Sequence, residues 1–337
     1  HFYGFNCYES VFNKDWMDNE AADYRSAMFY RIQSNQFRFK TDFLGILSGD
    51  HLKWTAGFAF QNFSISSVNI DKLNKGRKDE LPSVTEEPGL FELYRDSLGV
   101  IPENEADGGW VNTVRAGLVW DSRDNRPNPM KGIWTEAGIE ISPKFLGNDW
   151  GFSKFYITHR QYFTLVENDL SLVYRIGYQA TLSGEVPFFY QSQFLTYRLT
   201  GASSEGLGGL STLRGVLKNR VVGDAFVIGN VELRWKPVHF TFLNKESYLG
   251  INLFYDIGKS TKGIALPDNL QSTFNSEMSE YNFNDFFNPG AEAFHHCAGI
   301  SIMPVWGQNF VVAIDIGKSF NEQDGNIGFA FGLNYLF

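Results

Sequence analysis

The 337-residue chain has only two cysteines, Cys7 and Cys297, and 11 prolines. The cysteines lie far apart and match no metal or redox spacing, so no disulfide is expected and no thiol motif organises the fold. Long apolar runs are missing as well. None approaches the ~18 residues of a membrane helix, and mean hydropathy is only −0.24. Helical periodicity is almost absent. Positive charge is in deficit: 29 Lys and Arg stand against 38 Asp and Glu, for a net −9. That argues against a nucleic-acid-binding surface, which would be basic. The chain opens on His1 and shows no signal peptide.

What is present is aromatic, glycine-rich and alternating. Phe, Trp and Tyr make up 16% of residues, and there are 33 Gly. In "NIGFAFGLNYLF", Ile327, Phe329, Phe331, Leu333, Tyr335 and Phe337 form one large apolar set, interleaved with small or polar residues. That is the period of a strand. "LSLVYRIGYQATL", "YLGINLFYDIG", "FVVAIDIG" and "GIWTEAGIEI" alternate in the same way. "KFYITHRQYF" is weaker, because His159 and Gln161 fall on its apolar side. The polar faces are rich in Gly, with charges among small residues. A lumen lined by such side chains, with the apolar face turned to lipid, fits this better than a soluble sheet. A large soluble all-β protein is the other reading of the pattern.

Connection lengths favour the membrane barrel. Strands are expected near 23–47, 51–67, 110–121, 132–143, 152–166, 170–185, 225–236, 247–259, 293–303, 309–319 and 326–337. The first reads as one long, bulged strand. Alternate connections at 68–109, 186–224 and 260–292 are very long, although 144–151 and 320–325 on the same side are short, while 48–50, 122–131, 167–169, 237–246 and 304–308 are short or medium. Long loops on one side and short turns on the other is how an outer-membrane barrel is built. Trp54, Phe163, Trp235, Tyr248, Trp306, Phe310, Tyr335 and Phe337 lie near the short-turn ends, as an interfacial aromatic girdle would. Outer-membrane lipids are therefore the expected surroundings. Strand parity places residues 1–22 at the outer surface, so "HFYGF" reads as the tail of an outward strand whose start is missing.

Several stretches resemble the barrel of the bacterial surface antigen family, the BamA/TamA-type outer-membrane assembly and translocation factors. "STLRGVLKNR" resembles the family's VRGF loop tip, with Leu213, Arg214, Gly215 and Val216 in its place and Val where the family has an aromatic. "GNVELRW" resembles its Glu-bearing strand, with Glu232. "LFYDIG" resembles its F-x-D-x-G strand, with Phe254, Asp256 and Gly258. "DSRDNRPNPMKG" resembles its periplasmic turn, with Asp121, Arg123, Asp124, Pro129 and Gly132. The last strand resembles its C-terminal assembly signal, with Gly328, Phe331, Tyr335 and Phe337. "FYGFNCYES" resembles a degraded FYGxGNET stretch of Bacteroidetes members.

The resemblance implies an all-β transmembrane antiparallel barrel. Sixteen strands are expected in the intact protein, with about 11–12 of them in residues 1–337 as its C-terminal part and no POTRA domain among them. It implies polypeptide insertion or translocation at the outer membrane of a Gram-negative bacterium. Partners would be other outer-membrane or lipoprotein subunits and unfolded polypeptide. The alternatives are a membrane anchor or export conduit for an N-terminal patatin-like or metallophosphatase domain, or a passive pore.

Among candidate sites, Arg214 is the sharpest. A loop tip folded into a lumen needs anionic partners for its charge. Glu232 and Asp256 fall on inward faces by alternation, so they are the expected partners. The 121–132 turn is Asp-, Asn- and Pro-rich for local reasons as turns generally are. His295 and His296 are adjacent, point to opposite faces and cannot chelate one metal together. Ser203, Ser204 and Ser211 lack a His/Asp pair in a nucleophile motif. No enzyme activity, metal or other cofactor is expected.

Overall fold

A computed structural model gives the fold and describes residues 1–196, 206–209, 211–307 and 310–333. Its 12 strands form one antiparallel sheet. They are β1 Gln33–Ser48, β2 Leu52–Ser66, β3 Gly108–Trp110, β4 Thr113–Asp121, β5 Gly132–Ser142, β6 Phe152–Val166, β7 Leu170–Gly184, β8 Ala225–Phe242, β9 Lys245–Lys262, β10 His295–Trp306, β11 Phe310–Ser319 and β12 Ile327–Leu333. Each pairs with its neighbour in the chain, except that β4 joins β2 directly and the short β3 pairs only with β2. Among the described residues, no strand covers the outer edge of β1 or of β12.

Alternation decides which side chains share a face. On β8, Asn230, Glu232 and Arg234 are 1, 2 and 3% exposed, whereas Val231 and Trp235 are 45 and 50% exposed. On β7, Ser171, Arg175 and Gln179 are buried, while Ile176 and Tyr178 are exposed. A sheet in water would show the reverse, with polar residues out and apolar residues in. His159 and Gln161 lie on the outer face of β6. They are satisfied there: His159 Nδ1 is 2.7 Å from Thr135 Oγ1, and Tyr174 donates its hydroxyl to Gln161 Oε1 at 3.2 Å. Pairing within the face limits the cost of two polar groups in an apolar surface.

The three longest connections share one end of the sheet. Turns 49–51, 122–131, 167–169 and 243–244 lie at one end of the sheet, where β10 also ends and β11 begins. Segments 67–107, 143–151, 263–294 and 320–326 lie at the other, with the described residues of 185–224. Trp54, Phe163, Trp235, Trp306 and Phe310 are exposed on the outer face. Tyr248 is not, contrary to expectation. It shares the parity of Gly250 and Asn252, is buried, and takes a hydrogen bond from Asn128. Tyr335 and Phe337 lie outside the described residues.

The first 32 residues also differ from expectation. The strand expected from residue 23 begins at Gln33, and "HFYGF" is not a strand. Phe29 and Tyr30 are adjacent and both buried, which strand alternation forbids on a one-sided sheet. They pack with Phe2, Tyr3, Trp16, Phe91 and Tyr94 in an aromatic cap at the long-connection end. Arg25 lies 4.4 Å above the Trp16 ring and 4.2 Å from that of Tyr281. A third difference is the connection expected at 237–246. β8 and β9 run through it to a two-residue turn at Leu243 and Asn244, whose φ values are 48 and 58°. Two consecutive positive φ values match a tight hairpin of right-handed strands. Pro237, which suggests a break, sits where the register shifts between Trp235 and Val238, so no ladder bond is required of it.

Candidate functional site

The described residues 206–209 and 211–221 of the connection between β7 and β8 turn back over the inner face. Its tip is a tight turn in which Val216 N–H donates to Leu213 O at 3.0 Å. The Gly209 amide braces the turn from below, lying 3.1 Å from Leu213 O and 3.0 Å from Val216 O. Leu213 and Val216 are buried with Leu207, Val221 and Ile228. That small apolar cluster anchors the tip and leaves Arg214, next in the turn, to face the inner surface.

The guanidinium meets β8 and β9. Its Nε and Nη2 donate to Asp256 Oδ2 and Oδ1 at 2.9 and 2.7 Å, a bidentate fork, and Nη1 donates to Glu232 Oε1 at 2.5 Å. The Arg214 amide adds a bond to Asp256 Oδ2 at 3.1 Å. The Phe254 ring lies beneath, 3.7 Å from Cζ. Phe254, Asp256 and Gly258 thus act from one face at period two. The ring stacks on the cation and the carboxylate binds it. A side chain at Gly258 would crowd Leu213 and Leu207. Burial alone would lower the Arg214 pKa, but Asp256 and Glu232 outweigh it and hold it well above the ordinary guanidinium range.

Neighbouring side chains complete the cluster. Asn230 donates to Asp256 Oδ1 and to Thr212 O, both at 2.7 Å, and Arg234 donates to Glu232 Oε2 at 2.7 Å. Arg175 donates to Asn230 Oδ1 and to Ser211 O, both at 2.8 Å. All four oxygens of the two carboxylates therefore accept hydrogen bonds. These contacts tie the loop tip to β8 and β9. Arg175, Asn230 and Arg234 belong to no motif, and only their inward parity marks them in the sequence.

Glycines give the tip its room. A Cβ on Gly215 would come within 2.7 Å of Cys297 Cβ, and one on Gly317 within 2.9 Å of Gly215 N. One on Gly328 would collide with Arg214 O. Gly328 of β12 therefore underlies the loop tip, while Phe331 is exposed on the opposite face.

The 121–132 turn lies at the other end, apart from this cluster. Arg123 Nε donates to Asp121 Oδ1 at 2.9 Å, and its guanidinium lies 4.3 Å above the Trp134 ring. Asp124 Oδ1 accepts from the amides of Asn125, Met130 and Lys131 at 2.8, 3.1 and 3.2 Å. Pro129 is buried. Gly132 has φ 108°, a conformation that a side chain would strain. These contacts explain the turn by local structure. His295 faces inward and is buried, whereas His296 faces outward against Tyr255. Ser203 and Ser204 lie outside the described residues.

Residues 4–337 match the Omp85 superfamily domain. Among solved structures, the fold is similar to that of BamA from Haemophilus ducreyi lacking POTRA domains 1–3, with a TM-score of 0.52 and 14% identity. The alignment covers 89% of this chain and 54% of that one, so the chain spans about half the length of its structural relative. No curated protein matches significantly.

Proposed function

Because the chain belongs to the Omp85 superfamily, we propose that it forms the C-terminal part of a larger outer-membrane barrel that inserts or translocates polypeptides. The observation that carries this reading is the lock between Arg214 and the Asp256 and Glu232 carboxylates. It draws a long connection across the inner face and fixes it at the barrel wall. The exposed apolar face supplies the lipid contact. Unfolded substrate would pair with a strand edge at the barrel seam, as in β-augmentation. Outer-membrane and lipoprotein subunits are the proposed partners. A passive pore is disfavoured, because the folded-back loop and the aromatic cap occupy space that a pore needs open.

The test is reconstitution of the full-length protein in liposomes with an unfolded outer-membrane barrel as substrate. Substrate folding should run faster than in empty liposomes and slow in Arg214→Ala. Equal rates with and without the protein would refute the proposal. High conductance of the unmodified protein, unaffected by removing residues 186–224, would favour the passive pore.

A further inference from the structure

A second buried polar cluster lies at the long-connection end, independent of the Arg214 lock. It joins the N-terminal segment, the connection before β10 and the first residue of β10. Cys7 and His295 are 1 and 0% exposed, and the Glu292 side chain is largely covered. The Cys7 Sγ, a Glu292 carboxylate oxygen and a His295 ring nitrogen all lie within 4.8 Å of one another.

Two of the three donors are aimed by their neighbours, and the Cys7 thiol lies 3.5 Å from Val222 O. His295 Nδ1 is 2.6 Å from Asp324 Oδ1. Asp324 is itself fixed by the Tyr8 hydroxyl, which donates to Oδ2 at 2.5 Å. The Tyr8 ring stacks on the imidazole at 4.0 Å. A proton on Nδ1 facing Asp324 leaves the Nε2 lone pair free to bind, the usual arrangement of a metal-ligating histidine. Glu292 Oε1 accepts the Ser260 amide at 2.8 Å, which turns Oε2 toward the histidine. Asn6 and Cys7 both take left-handed φ values, 58 and 59°. Consecutive strain of this kind in non-glycine residues persists where the surroundings enforce it, often at functional positions.

The His295 Nε2 faces Glu292 at ion-pair distance, not hydrogen-bond distance. It is buried and has no hydrogen-bond partner among the described residues. Glu292 Oε2 stands 3.4 Å from it. An imidazolium bonded to a carboxylate would close to about 2.7–2.9 Å. Nitrogen and oxygen ligands sharing one tetrahedral ion at bond lengths of ~2.0–2.1 Å are about 3.3 Å apart. The observed separation suits the second case. We propose that Cys7, Glu292 and His295 are ligands of one divalent transition-metal ion, of which Zn²⁺ is the type, with Asp324 positioning His295.

One sulfur, one nitrogen and one oxygen donor suit Zn²⁺ better than Ca²⁺ or Mg²⁺, which prefer oxygen alone. Binding forms the metal–sulfur bond as Cys7 releases its thiol proton to solvent. A water completes four-coordination. Charge then balances. The thiolate, Glu292 and Asp324 face the dication and Arg220, which donates to Cys7 O at 2.7 Å and lies 4.0 Å from Asp324. The ion would pin the N-terminal segment to β10. The ligand set spans most of the chain, so no local spacing announces it, and the His295–His296 pair is not the chelating unit.

The test uses the full-length protein purified in detergent and equilibrated with Zn²⁺, then dialysed against a weak chelator. About one zinc per chain should remain by elemental analysis, as a three-ligand site predicts. Cys7→Ser and His295→Gln should lose it, and Asp324→Asn should weaken binding roughly 10–100-fold. His239→Gln, at an exposed histidine, should keep it. Retention of the same zinc by both ligand variants overturns the proposal. Should those variants fail to fold, Co²⁺ exchange into the unmodified protein decides. A thiolate-to-cobalt charge-transfer band supports the assignment, and a cobalt spectrum without it overturns it.

Discussion

Arg214 and Asp256 form a two-point contact, with Nε and Nη2 2.9 and 2.7 Å from the two carboxylate oxygens. The partners are 42 residues apart in sequence and both buried. Removing one member of a buried pair typically costs ~3–5 kcal/mol, because the other charge is left without compensation. Arg214→Ala should therefore lower the temperature at which the folded form disappears on heated gels. Arg214→Lys keeps the charge but loses the planar fork. It should fall between the two, and full recovery by lysine would mean that charge alone holds the loop.

Gly328 tests the same lock from below. A Cβ there would collide with the Arg214 carbonyl oxygen, and backbone cannot step aside as a flexible side chain can. Gly328→Val should cost ~1–3 kcal/mol by overpacking. Proteolysis should then cut within 206–224 sooner than in the unmodified protein. An unchanged cleavage rate would show that the tip does not rest on β12.

Much of the sheet was readable because one period governs it. The expected 152–166 and 170–185 strands match β6 and β7 almost residue for residue. The inward parity of Glu232 and Asp256 follows from the same alternation, and their side chains do point inward. Reading failed where the backbone leaves that period. Phe29 and Tyr30 look like strand residues by propensity, but consecutive burial in the cap overrides it. Leu243 and Asn244 carry no Gly to mark their tight turn. The Cys7, Glu292 and His295 group was invisible because tertiary structure alone brings it together.

Topology is testable in intact cells. Glu80 and Asn275 are exposed on two different connections at the same end of the sheet. Single cysteines at these positions, in a background lacking Cys7 and Cys297, should both react with an impermeant maleimide. Reaction at one site with consistent protection of the other would contradict a single long-loop face. The two native cysteines are buried, so they should react slowly in the folded protein.

The outward row of the last strand yields the final prediction. Ile327, Phe329, Phe331 and Leu333 are all well exposed on one face of β12. The sequence continues that parity through Tyr335 to Phe337. Such a row favours lipid over water, and burying a Phe side chain contributes ~1.5–3 kcal/mol. Aromatic rings near a strand end also prefer the membrane–water interface. Phe331→Ala and Phe337→Ala should each reduce the heat-modifiable, membrane-inserted fraction, and the double variant should reduce it further. Gly328→Ala changes the inner face instead, so it should disturb the loop tip more than insertion. The decisive measurement is the inserted fraction after equal expression. If it is unchanged in the Phe331/Phe337 double variant, the outward row does not drive assembly, and its resemblance to an assembly signal is incidental.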